Sequence, residues 1–372
     1  MNEELNTIMT DSLQHGSDEQ AAAAPLPPVE LKAPVVSMPW AEPEPELEYQ
    51  LPTCSGHSFH MDDPAWQSHL AEQGFCVITG VANEDQVRTG RALFWDDIEK
   101  NNPNVRRDDV ETWKPVPRGG HSAVPEHKRW MLSSSGLVSG SLAQGAGAWH
   151  VRGLPLVKEA FARIWKDEDL IVSMDCVLIW RPWSGTNDCG IIPRTEGLHL
   201  DQNPYSKPGL DCVQGMVPMY DVTPGTGGLA VVPGSHTGKN REWCKQFAGQ
   251  GDWCPLSKDD PMQGTEQLVV AAAGDLILWD ARTVHGGVVG PGEDPTSANG
   301  SRALARLTQT VSMVPRSRAS AACLEARRRG FATGITFNHS PHEAGCSSGT
   351  VYSLKKKDFS PPQLTREQAA LL

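Results

Sequence analysis

From about residue 170 to residue 314 the chain repeats one pattern, a short apolar run followed by a turn rich in glycine or proline. The runs are Leu170–Trp180, Cys212–Val217, Gly228–Val232, Leu268–Ala272, Asp275–Trp279 and Arg306–Val314. Runs this short and this regularly punctuated read as strands rather than helices. A succession of short strands must bury its apolar faces against a second sheet or close on itself. The pattern therefore predicts a mainly β fold with flanking helices, built on a jelly-roll, cupin-like core.

The helices are expected upstream. Pro64-Ala65-Trp66 opens one that runs to about Gln73, and Gly74 then releases the chain into a strand, Phe75–Thr79. Asn83 is placed to cap a second helix that carries Val87, Leu93, Phe94, Trp95 and Ile98 toward a core. A third is expected near Val157–Trp165. Residues 101–148, rich in Gly, Pro and Ser, resist assignment and are too long for a simple connector, which suggests a lid or partial disorder. Residues 1–50 are dense in Ala, Pro and Glu, with too little apolar surface to offset the entropy of ordering, and are expected to be a disordered tail. The domain is expected over 51–350, followed by a C-terminal tail, 351–372.

Charge and cysteine usage narrow the function classes. Residues 1–50 hold ten acidic side chains against Lys32 alone, a balance of −9 within a total of −12, which leaves −3 for the rest. A nearly neutral domain without a basic stripe argues against a nucleic-acid partner. Mean hydropathy is −0.38, and no apolar run reaches bilayer length, so no membrane association is expected. The start, Met1-Asn2-Glu3-Glu4, lacks the order of a secretory signal, and the nine cysteines are scattered without a CxxC pair. Both features point to a reducing, cytoplasmic setting.

The chemistry concentrates in Gly197-Leu198-His199-Leu200-Asp201-Gln202. On a strand, residues two apart share a face, so His199 and Asp201 address the same volume. A neighbouring strand, Gly274–Asp280, leads through Ala281-Arg282-Thr283-Val284 to His285. Two histidines and one carboxylate leave three coordination positions open. That is the donor set expected of oxygen-activating ferrous sites, in which 2-oxoglutarate takes two positions and O2 the third. Zinc prefers a more closed tetrahedron.

The ordered blocks extend further: Cys212-Val213-Gln214-Gly215, then Gly227-Gly228-Leu229 with Pro233-Gly234-Ser235-His236, and a strand headed by Arg306. Taken with the His199 and His285 blocks, the sequence resembles the phytanoyl-CoA dioxygenase-like family of Fe(II)/2-oxoglutarate oxygenases, from about Trp66 to His342. The resemblance implies a double-stranded β-helix, iron at His199, Asp201 and His285, and an arginine for the far carboxylate of 2-oxoglutarate. Arg306 is the preferred arginine. Arg302, of the same strand parity, is the alternative, because the loop Pro291–Gly300 lengthens the spacing found in the family. Relatives that halogenate replace the carboxylate with a small residue, so Asp201 implies hydroxylation or a related oxidation. A small-molecule substrate is expected, since the domain shows no basic cluster for the phosphates of coenzyme A.

Other residues carry weaker expectations. Gln214 is placed either to reach the cosubstrate or an iron-bound water, or to be a buried amide satisfied by backbone. Trp279 is expected in the core and His236 in a turn. His121 and Trp149 fall in the segment where a lid would lie, and His339 and His342 are expected in a solvated loop. The competing readings are a non-catalytic β-barrel binding module, a cupin-type enzyme that does not use 2-oxoglutarate, and a zinc hydrolase with Glu196 as base.

Overall fold

A computed structural model describes residues 52–114, 130, 135–184, 189–238, 241–292, 303–344 and 359–372. The acidic tail, His121 and Arg302 lie outside the described residues. The first half of the domain contains β1 (Ser58–Phe59), α1 (Ala65–Gln73), β2 (Phe75–Ile78), α2 (Glu84–Asn101), β3 (Leu137–Val138), α3 (Ala146–Arg152) and α4 (Pro155–Trp165). Strands then follow as β4 (Leu170–Val172), β5 (Val177–Trp180), β6 (His199–Leu200), β7 (Val213–Pro218), β8 (Gly227–Val231) and β9 (Cys254–Pro255). The last elements are β10 (Gln267–Leu268), β11 (Leu276–Asp280), β12 (His285–Val289), β13 (Arg306–Val311), β14 (Met313–Pro315), α5 (Ala321–Thr333) and α6 (Arg366–Ala370).

Two sheets form the jelly roll. The larger has the order β1-β2-β11-β7-β13-β5-β3 and the smaller β10-β8-β12-β6-β9. All pairs are antiparallel except β1 with β2. The period of two sorts each strand of the larger sheet between two apolar layers. Cys76, Ile78, Leu276 and Leu278 face the layer shared with the helices, where Trp66, Phe94, Trp149 and Phe161 pack. Phe75, Val77, Ile277 and Trp279 face inward and meet Leu229 and Val231 of the smaller sheet. Burial on both faces explains why the sequence shows continuous apolar runs instead of strict alternation.

Local signals set the helix ends. The Asn83 side chain accepts from the Gln86 N–H while the Gln86 side chain accepts from the Asn83 N–H, closing a capping box at α2 worth about 1 kcal/mol. α1 ends at Gly74, which adopts φ 80°. A Cβ there would overlap Thr283 Oγ1 and the His236 ring. The turn Pro233–His236 is thus docked on the end of α1, where His236 Nε2 donates to the Ala71 carbonyl at 2.9 Å.

Two expected strands are broken. Leu170–Trp180 divides into β4 and β5, and Arg306–Val314 into β13 and β14, so that β4 and β14 leave the large sheet as a separate pair. The two breaks brace one another: Ser173 N–H donates to the Ser312 carbonyl at 2.7 Å and Ser312 N–H to Ser173 Oγ at 3.0 Å. The run Leu268–Ala272 contributes only its start, to β10. In the segment that resisted assignment, Trp113 and Trp130 pack with Trp95, and Trp149 is buried in α3 rather than in a lid.

The C-terminal segment set apart above as a tail packs on the domain in its described part, 359–372. Leu371 is buried, and its carbonyl accepts from Val172 N–H at 3.1 Å. Arg327, fully buried in α5, gathers this corner. Its guanidinium donates to the carbonyls of Leu372, Pro341, Val172 and Leu371 at 2.6–3.2 Å. Removing the donor leaves buried carbonyls unsatisfied, at about 1–3 kcal/mol each. Arg327→Ala should therefore lower the urea midpoint by the equivalent of ~3 kcal/mol or more, measured by tryptophan fluorescence. An unchanged midpoint would show that this residue does not hold the corner together.

Candidate metal centre

His199 and Asp201 come from β6 and the bend after it, and His285 opens β12. The register places His285 directly opposite His199, and Asp201 N–H is held by the Ala281 carbonyl at 3.1 Å. As a result His285 Nε2 stands 3.2 Å from Asp201 Oδ2, and His199 Nε2 stands 3.7 Å from Oδ1. One donor atom from each of the three lies within 4.8 Å of the others.

The outer nitrogens determine what these atoms present. His199 Nδ1 donates to the Gly197 carbonyl at 2.9 Å and His285 Nδ1 to the Thr283 carbonyl at 2.8 Å. In the neutral imidazoles both Nε2 atoms are then lone pairs facing a carboxylate. Acceptors facing acceptors at these distances call for a cation between them, and a metal ion meets that need. Burial pushes the His199 pKa down. Burial pushes Asp201 up, but His199, His339 and His285 outweigh it and hold the carboxyl well below its usual range. Both directions favour the ligating forms, a neutral imidazole and an ionised carboxylate. Gln214, on β7, donates from Nε2 to Asp201 Oδ2 at 2.8 Å. The amide therefore holds the carboxylate, where the sequence had suggested a contact to the cosubstrate or to water.

The triad opens into a cavity of about 1050 Å³ that also exposes Arg306 and Gln214. Arg306 heads β13 opposite Trp180 and is 7% exposed. Its guanidinium lies over the Trp180 ring, 4.7 Å from the centroid, and Nη2 reaches Met216 Sδ at 3.5 Å. Nε is buried without a partner, and no carboxylate pairs with the guanidinium among the described residues. Burial lowers its pKa to about 10. A buried, unpaired guanidinium facing a cavity is suited to receive an anion in bidentate fashion.

Several residues stand elsewhere than the sequence suggested. His339 is not in a solvated loop: its Nε2 donates to the Asp201 carbonyl at 3.2 Å and its ring lines the cavity. Trp279 is buried as expected but also lines the cavity, its ring centroid 5.4 Å from that of His285. His342 belongs to a cluster with Asp211 and Glu343, in which Arg318 pairs with Asp211 and Lys207 with Glu343. Those cations already offset the acids. Glu196 lines the cavity, its carboxyl pushed up by burial and by Asp201. Asp175, which sequence reasoning passed over, is buried in the same wall. It sits in the break between β4 and β5, where no periodic signal marks it.

The family model for phytanoyl-CoA dioxygenase (PhyH) matches residues 70–288, more than half of the chain. Ava biosynthesis cluster protein O of Aspergillus versicolor is 28% identical over 224 residues, covering 54% of this chain and 65% of that protein. The match thus spans slightly less than two thirds of that relative's length. A putative phytanoyl-CoA dioxygenase of Dictyostelium discoideum is 22% identical over 268 residues, 60% of this chain and 70% of that protein. Among solved structures, the epimerase SnoN in complex with Fe3+, alpha ketoglutarate and nogalamycin RO aligns with a TM-score of 0.44 at 16% identity, covering 67% of this chain and 82% of SnoN. The matched span contains the His199, Asp201 and His285 blocks, and the chain belongs to the phytanoyl-CoA dioxygenase family.

Proposed function

We propose that the protein is an Fe(II)- and 2-oxoglutarate-dependent dioxygenase that hydroxylates a small molecule, releasing succinate and CO2. The observation that carries this reading is Arg306, a buried and unpaired guanidinium in the same cavity as the His199, Asp201 and His285 triad. A metal site alone has no use for such a cation, whereas a dicarboxylate cosubstrate bridges the two. The same residue weighs against a cupin-type enzyme without 2-oxoglutarate and against a zinc hydrolase.

Ferrous iron at the triad supplies oxygen activation coupled to the oxidative decarboxylation of 2-oxoglutarate. The chain's own residues prepare for it. His199 and His285 offer Nε2 lone pairs that their backbone partners hold in place, and Asp201 offers an ionised carboxylate. Gln214 holds Asp201 Oδ2, which leaves Oδ1 oriented toward His199 Nε2. Arg306 would receive the far carboxylate of the cosubstrate, a task its planar, unpaired guanidinium suits. Trp180 and Met216, packed against the guanidinium, keep water from competing for it.

Anaerobic titration of the metal-free protein with Fe(II) and then 2-oxoglutarate tests the reading through the visible charge-transfer band of a chelated 2-oxo acid. The wild type should develop the band, and His199→Ala, Asp201→Ala and His285→Ala should not. No band in the wild type at saturating iron and cosubstrate would sink the proposal. Arg306→Ala should retain the iron but need on the order of 10–100 times more 2-oxoglutarate, the loss expected for a charge-assisted pair. Gln214→Leu should weaken Fe(II) binding by roughly 10-fold or more, read by calorimetry in the absence of cosubstrate. Unchanged affinity there would remove Gln214 from the site.

A further inference from the structure

The cavity contains a second buried ionisable group, a carboxyl, that the proposed chemistry leaves unused. Asp175 lies in the Ser173–Cys176 link between β4 and β5, is 7% exposed, and faces the space shared by His199, Asp201 and Arg306. Burial pushes its pKa up, with His339 and Arg152 acting the other way, and among the described residues neither forms an ion pair with it. Arg152 is turned to the Trp149 ring and the Ala143 carbonyl, and His339 donates to the Asp201 backbone. A buried carboxylate without a counter-ion is costly unless something entering the cavity supplies one. Arg306 presents the mirror case, and in the reading above the cosubstrate relieves it.

The rest of the wall describes the partner. No lysine lines the cavity among the described residues, and Arg194 is the arginine other than Arg306. Glu196 adds a half-buried carboxyl, while Asp252 is already paired with Lys207 at 2.5 Å. Once Arg306 has bound the cosubstrate, the walls favour a cation and offer no cradle for the phosphates of an acyl-CoA. The rim carries a half-exposed aromatic, Trp253, at 50% exposure, with its ring centroid 6.1 Å from that of His199. Phe247 stands in the same wall. Exposed rings at a cavity mouth suit a flat apolar body and attract cations to their faces.

We propose that Asp175 is the substrate-anchoring carboxylate of this cavity, and that the substrate is a small molecule bearing a protonated amine beside an aromatic body. The inference rests on the Fe(II)/2-oxoglutarate reading above. It makes Asp175 a specificity determinant, placed to hold the amine while the body packs toward Trp253 and the metal.

The test uses the full chain loaded with Fe(II) and 2-oxoglutarate, in wild type and Asp175→Asn. The probes are three molecules of one shape and different charge: tryptamine, tryptophol and indoleacetate, with an acyl-CoA as a fourth. Two readouts are taken, the shift of the charge-transfer band on adding each probe and the probe-stimulated release of succinate in air. Tryptamine should shift the band and stimulate succinate release at concentrations at least ~10-fold below tryptophol, the discrimination expected for a charge-assisted bond. In Asp175→Asn that ratio should collapse, read as a rise in KM for tryptamine and not for tryptophol. Preference for indoleacetate or the acyl-CoA, no response to tryptamine, or an undiminished ratio in Asp175→Asn would each overturn the proposal. If the variant does not fold, the amine-to-alcohol ratio of the wild type decides alone. Failure of the band to form before any probe is added refutes the dioxygenase reading itself, and so is distinguishable from failure of this one.

Discussion

In the smaller sheet His285 stands directly opposite His199, and a slip of one residue in that register would turn one imidazole to the far face. The pairing is short, because β6 has two residues, so its register depends on what surrounds it. β12 is held along its whole length by β8, from His285 opposite Val231 to Val289 opposite Gly227. β6 is held on its other edge by β9. Behind both, Leu198, Leu200, Cys254 and Val284 form one apolar cluster. The long β8–β12 ladder and this cluster therefore hold in place the three polar groups that the short strand could not position alone.

The same economy governs the buried charges. Arg327 is surrounded by carbonyls that satisfy it and serves the fold. Asp201 is surrounded by imidazoles and an amide, which hold it ionised. Arg306 and Asp175 differ, since each is buried at the cavity wall without an ion-pair partner. Buried charges are kept in proteins when paired or when a ligand completes them. Within one cavity Arg306 on β13 and Asp175 just before β5 stand on the wall of the larger sheet, and His199 and His285 come from the smaller one. Two anchors of opposite sign let a dicarboxylate and a second molecule of opposite character enter the same cavity without competing for one anchor.

Legibility from the sequence followed the range of the interactions. The helix starts were readable because Asn83 and Gln86 act within one turn. His199 and Asp201 were noticed as residues two apart on an expected strand, although Asp201 lies in the bend after β6, and the chain order of the blocks carried the family resemblance. The breaks at Ser173 and Ser312 were not readable. Each looks like the middle of an apolar run, and the bonds that bend them join residues 139 positions apart. Gln214 was noticed as an amide on an apolar strand, but its bond to Asp201 was not foreseen, because β7 and the bend after β6 meet only when the sheets close.

His339 and Asp175 make the same point more sharply. His339 follows α5, far along the chain from the triad, and local composition around Asn338-His339-Ser340-Pro341-His342 reads as a solvated loop. It reaches Asp201 because α5 and the C-terminal corner gathered by Arg327 fold back over the β4–β14 pair. Periodicity, capping and spacing are short-range properties, and the sequence by itself determined what they encode: the strands, the helix starts, the triad and the arginine strand. Which unpaired charges face the cavity, and which side chains close around the carboxylate, depend on how the two sheets and the C-terminal segment meet, as when His339 reaches Asp201 across 138 positions, and only the tertiary structure decided those.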